Sequence, residues 1–168
     1  FSLLGMDFNK LTRNYIAFYR SRYILEYESQ EEPKGNPVPL KNKKEAVYYG
    51  AKISPDGEKI AYVENRLGRY KVIILDTLSG DKTTVYSKES KLERLQDYSF
   101  PVLNWHPNGA AIAFFSEVKG ELKLFTYRLS DKSFTEKRMK DMDKVLDFGY
   151  SHDGKKMVIS AVLKGQSD

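Results

Sequence analysis

Short apolar runs recur along this chain, each entering or leaving a polar turn, and three of the turns share one build. The copies span residues 51–63, 103–115 and 148–160. In each, a half-apolar segment meets Asp-Gly or Asn-Gly, and a nearly solid apolar run leaves: Ile60-Ala61-Tyr62-Val63, Ile112-Ala113-Phe114-Phe115 and Met157-Val158-Ile159. Pro55, Asp56 and Gly57 make the first turn, Pro107, Asn108 and Gly109 the second, Asp153 and Gly154 the third. Pro presets φ, Asp or Asn hydrogen-bonds its own backbone, and Gly takes the φ > 0 position that closes a tight hairpin. The runs that follow predict strands buried on both faces.

The three turn glycines lie 52 and 45 residues apart (109 − 57 and 154 − 109). Such spacing is what a four-stranded propeller blade of about 40 to 50 residues requires. Residues 70–76 and 121–128 read as third strands, each followed by a polar turn and a short fourth strand at 82–86 and 133–137. This predicts an all-β fold, a β-propeller of four-stranded antiparallel blades, with blades at 46–87 and 99–138 and a half-blade at 145–168. Three unrelated hairpins of a sandwich are the plain alternative. Their common order and spacing favour repeats. Trp105, Ile60, Ile112 and Met157 occupy the inner-strand positions expected to form the core.

The turn-centred core stands as ISPDGEKIAY at 53–62, WHPNGAAIAF at 105–114 and YSHDGKKMVI at 150–159. It resembles the TolB-like, WD40-like propeller repeat with its WSPDGK-x-IAF core, a pattern also found in the propellers of prolyl oligopeptidase relatives. The second copy has His106 for Ser and Asn108 for Asp, and the third has His152 for Pro. The resemblance covers about residue 46 to the end. It speaks for the fold, since the motif residues build the turn and touch no substrate. It implies part of a ring of about six or more blades.

Upstream, Asp7 precedes apolar groups at Phe8, Leu11, Tyr15, Ile16, Phe18 and Tyr19, a helical spacing with Asp7 as N-cap. Residues 1–21 are thus expected to be a helical segment, packed on the propeller or ending a preceding domain. Residues 22–28 read as a third strand and 37–41 as a fourth, an outer one because Pro37 and Pro39 cannot donate to a ladder. Together they predict a half-blade at 22–42, within a partial propeller at 22–168.

Composition changes this picture little. With 12 Tyr, 9 Phe and 40% hydrophobic residues there is material for an aromatic core. The net charge of +5 comes from lysines interleaved with acids, as in residues 136–143, so no basic stripe forms and nucleic acid is not an expected partner. The longest apolar run, residues 110–115, is far short of a membrane span. Zero cysteines exclude disulfides and thiolate chemistry.

Candidate chemistry is sparse. The chain carries no Gly-x-Ser-x-Gly elbow, no His-Glu-x-x-His helix and no phosphate-binding loop. His106 and His152 fall at neighbouring positions of equivalent turns in different blades, too far apart for joint metal ligation. Asp141, Asp143 and Asp147 lack the spacing of a known calcium loop. No catalytic residue, cofactor or metal is therefore expected, and the chain reads as non-enzymatic.

What the resemblance implies is a protein-binding or scaffolding propeller of the bacterial cell envelope, periplasmic or outer-membrane-associated, within a secretion or transport assembly. Its partners would be other envelope proteins or the remaining blades of its own polypeptide, since the chain reads as a piece of a longer protein. The alternative is the substrate-gating propeller of a larger peptidase, prolyl oligopeptidase-like or following a metallopeptidase-like domain, with the catalytic residues outside this chain.

Overall fold

The computed structural model describes residues 5–31, 34–35, 38, 40, 43–88 and 99–165. The chain divides into two compact units, Phe1–Lys41 and Asn42–Asp168.

The first unit holds α1 (Phe8–Glu28). Asp7 caps it, its Oδ1 accepting the Lys10 backbone N–H at 2.7 Å, which satisfies one of the orphan donors of a helix start. Tyr15, Tyr19 and Tyr23 follow at four-residue steps and their rings meet in series, with centroids 4.6 and 6.1 Å apart. This ladder carries the helix through residues 22–28, where a third strand was expected. The strand reading is corrected. Seven residues are compatible with either period, and the helix satisfies its backbone internally whereas a strand there needs a paired neighbour. The fourth strand expected at 37–41 lies largely outside the described residues, and Val38 and Leu40, which are described, are not in a strand. Among the described residues, no helix is long and apolar enough to cross a membrane.

The second unit contains β1 (Ala46–Ile53), β2 (Lys59–Arg66), β3 (Arg69–Asp76), β4 (Lys82–Lys88), β5 (Val102–Trp105), β6 (Ala111–Val118), β7 (Glu121–Arg128), β8 (Phe134–Arg138), β9 (Met142–Tyr150) and β10 (Met157–Leu163). They form four-stranded sheets β1-β2-β3-β4 and β5-β6-β7-β8 and a two-stranded sheet β10-β9. Every neighbouring pair is antiparallel and consecutive in sequence, which is the meander of a propeller blade. Within each full blade the second and third strands join through two residues at positive φ, Leu67-Gly68 and Lys119-Gly120. Two such residues make a type I′ turn, whose twist matches that of the flanking strands.

Two clusters fill the spaces between sheets. Val63, Val72, Leu103, Trp105, Ile112, Phe114 and Phe125 are buried between the first and second blades. Ala113, Phe115 and Leu122 from the second blade meet Val145 and Phe148 of β9. The central strand β6 serves both clusters because alternate side chains leave opposite faces: Ile112 and Phe114 point one way, Ala113 and Phe115 the other. That is why residues 112–115 are apolar without a break. In the first blade Tyr62, Ile73 and Leu75 are buried as well. They alternate with cluster residues in the β2–β3 register and so line the face turned away from the second blade.

Candidate functional site

Each of the three repeated turns is closed in the same way. The Oδ1 of Asp56, Asn108 or Asp153 accepts the backbone N–H two residues on, from Glu58, Ala110 or Lys155, each at 3.0 Å. That oxygen is also met by the side chain two residues back: Ser54 Oγ donates to Asp56 at 2.5 Å and Ser151 Oγ to Asp153 at 2.6 Å. His106 replaces the Ser in the second copy, its Nδ1 lying 2.6 Å from Asn108 Oδ1. The tautomer with its proton on Nδ1 lets the amide oxygen accept both bonds. Gly57, Gly109 and Gly154 have φ of +79°, +71° and +71°. Pro55 is exposed and Pro107 half-buried, at the heads of their turns.

The hydroxyl and amide donors hold Asp56 and Asp153 ionised to below the ordinary 3.8, the serine hydrogen bond being the largest cause for each. A carboxylate whose folded pKa is depressed adds stability above its unfolded value and loses it as pH falls through the folded one. The first and third turns should therefore persist at pH 4 and loosen in stronger acid. The second, built on Asn108, should not respond. Amide exchange at Glu58, Lys155 and Ala110 tests this; an acid-induced rise at Ala110 equal to that at the other two would contradict it.

The turns also touch one another. A Cβ on Gly109 would come within 3.8 Å of Pro55 Cδ and Asp56 Oδ2, and one on Gly154 would fall 2.3 Å from His106 Nε2. The glycines of the second and third turns thus nest on the turn of the preceding blade. His106 is further held by Tyr150, edge to face at 5.1 Å. His152 is exposed.

Polar bonds tie the blades along their first strands. Trp105 Nε1 donates to Lys52 O at 2.9 Å, Asn104 Nδ2 donates to Phe148 O at 2.9 Å, and Tyr49 OH donates to Phe100 O at 2.6 Å. Farther out, Tyr70 OH bonds Ser116 Oγ and Lys88 Nζ bonds Glu117 O across the same seam. Burial pushes the Tyr70 hydroxyl pKa well up, so it stays protonated and available to that partner. Trp105 and Ile112 are buried, and Ile60 and Met157 half-buried, Met157 against the second cluster.

Two features of the surface gave no warning in sequence. The first strands of successive sheets, β1, β5 and β9, lie side by side, and they leave Val47, Ile53 and Leu146 exposed. At the outer turns, a groove of about 320 Å³ between the first two blades is lined by Lys59, Asp76, Asp81, Tyr127 and Lys132 among others. Asp76 is occupied with its own turn, its Oδ1 accepting the N–H groups of Leu78 at 3.0 Å and Ser79 at 2.9 Å. Among the described residues, no three His, Asp or Glu side chains are placed to hold a metal ion. Asp143 and Asp147 are exposed on β9.

No protein-family model and no curated protein matches the chain. Solved structures do. TolB from Acinetobacter baumannii is 22% identical over 69% of this chain and 27% of that one, with a TM-score of 0.53. A TolB candidate from Agrobacterium tumefaciens is 22% identical over 77% of this chain and 42% of that one, with a TM-score of 0.54. The β-propeller domain of the Trilobed protease from Pyrococcus furiosus is 17% identical over 69% of this chain and 34% of that one, with a TM-score of 0.51. The chain therefore corresponds to between 27% and 42% of the length of these structures. Repeated turn, four-stranded meander and similar solved structures agree: the chain has a TolB-like β-propeller repeat fold.

Proposed function

We propose that this chain is a non-enzymatic docking surface, a TolB-like propeller section that binds or scaffolds other proteins of the bacterial cell envelope, periplasmic or associated with the outer membrane, in a secretion or transport assembly. The observation that carries the reading is the row of adjacent first strands. Ile53 on β1 and Leu146 on β9 are 67% and 56% exposed, and Asp143 and Asp147 of β9 are exposed too. Hydrogen bonds between blades hold these strands in fixed relation. Exposed apolar and charged groups on a rigid frame suit a protein partner, which gains from burial without paying to order the surface. The envelope placement rests on the likeness to TolB structures.

A photo-crosslinking residue at Ile53 or Leu146 in cells should give discrete adducts with other envelope proteins, and one at Leu78, exposed on an outer turn, should give few. Equal labelling from both positions, or recovery of the protein in the cytosol, would overturn the reading.

A second reading, the gating propeller of a larger peptidase, has in its favour the likeness to the Trilobed protease propeller. The coding sequence flanking this chain separates the two, since a peptidase domain beside it would favour gating. Under either reading the chain alone should turn over peptides, esters and phosphoesters no faster than a heat-denatured control. Turnover abolished by a single Ser or His substitution would sink both.

A further inference from the structure

We propose that α1 is a membrane-surface anchor, its aromatic face docking in the plane of an anionic lipid bilayer. At 100° per residue, Phe8, Leu11, Tyr15, Phe18, Tyr19 and Tyr23 fall within an arc of about 140°. These side chains are exposed, Phe8 by 79%, Tyr15 by 62% and Phe18 by 55%. On the same count Lys10 and Arg13 lie on the opposite side of the helix and Arg20 at its flank. Between Asp7 and Glu28 the segment holds four cations, Lys10, Arg13, Arg20 and Arg22, against three acids, Asp7, Glu26 and Glu28, and the acids lie at its two ends.

Three features select a bilayer as the occupant. A helix seated in a protein groove needs only a narrow row of anchors at i, i+3, i+4 and i+7, whereas a wide apolar arc backed by Lys and Arg is the pattern of helices lying in the interface. The arc is rich in tyrosine, whose ring can enter the acyl boundary while its hydroxyl stays among headgroups. The cations give electrostatic complementarity to anionic lipid, and Arg22, which falls inside the arc, has the stem length to snorkel back to the headgroups. Thr12 and Glu26 also fall inside the arc: Thr12 Oγ1 donates to Phe8 O at 2.9 Å and so brings no unsatisfied donor to the lipid, and Glu26, in the last turn of the helix, has to stay at headgroup level. Since α1 is not apolar enough to span a membrane, the surface orientation is the one that fits. The inference is independent of the docking role assigned to the propeller.

Co-sedimentation of the whole 168-residue chain with two kinds of vesicle tests it: equimolar phosphatidylcholine and phosphatidylglycerol, and phosphatidylcholine alone. Binding is expected to the anionic vesicles and to be much weaker to the neutral ones. Paired Arg13→Glu and Arg20→Glu should reduce partitioning by roughly tenfold or more, and paired Phe8→Ser and Phe18→Ser should abolish it. Trp105 lies in the other unit, so unchanged Trp105 emission in these variants shows that the propeller section is still folded. Equal binding to both vesicles, or binding that survives both pairs of substitutions, would overturn the proposal. So would a chain that ignores vesicles but forms dimers dissolved by Phe8→Ser and Phe18→Ser, since a second copy would then be the occupant.

Discussion

Trp105→Ala will lower the stability of the propeller unit by about 3–5 kcal/mol, the range for truncating a buried aromatic side chain. Trp105 is only 4% exposed and belongs to the cluster between the first two blades. The loss has two parts. Removing the indole leaves a cavity among side chains from both blades, and it also removes the donor from Lys52 O, 2.9 Å away. Trp105→Phe separates them, because it retains most of the volume and loses only the hydrogen bond, so it should cost less than half as much. Urea unfolding followed by circular dichroism reads both values. In the native protein iodide should quench the Trp105 emission weakly. A midpoint for Trp105→Ala no lower than that of the surface control Leu78→Ala would show that the seam does not depend on this residue.

Gly154→Ala will destabilise the chain by about 3 kcal/mol, roughly twice the effect of Gly57→Ala. Both glycines sit at positive φ, where an L side chain meets the following carbonyl at a cost of about 1–2 kcal/mol. At Gly57 nothing lies within 4 Å of an added Cβ, so the backbone term is the whole effect. At Gly154 the new atom falls 2.3 Å from His106 Nε2 and 2.4 Å from Cε1. The ring must move, which disturbs its contact with Tyr150 and its bond to Asn108. In a His106→Ala background the cost of Gly154→Ala should fall to that of Gly57→Ala. A double-mutant cycle measures the coupling, and a value near zero would mean that the third turn does not rest on the second.

The blades were readable because their turns are chemically demanding. Asp or Asn followed by Gly has few uses other than a tight turn, and its spacing located the strands on either side. Helix and strand were not separable at residues 22–28, where a short mixed segment fits both periods and only the tyrosine ladder running back to Tyr15 decides for the helix. The Leu67-Gly68 turn was equally hidden, since leucine carries no preference for the positive φ it adopts there. Least legible were the bonds between blades. Asn104 reaches Phe148 O across 44 residues, and nothing local distinguishes it from any exposed asparagine. The same holds for the exposed residues of the first strands, whose neighbours come from different repeats.

The nesting of Gly109 and Gly154 on the turns before them bears on how this protein comes apart. Every such contact joins adjacent sheets only, so opening at one end is felt by the next sheet and reaches the one beyond it only through that intermediary. Among the described residues of this unit, the second blade packs against a sheet on each side, whereas β9 and β10 pack on one. Loss of the packing on β9 and β10 should therefore leave the seam between the two full blades in place. The molecule would then yield in steps, sheet by sheet, rather than as one unit.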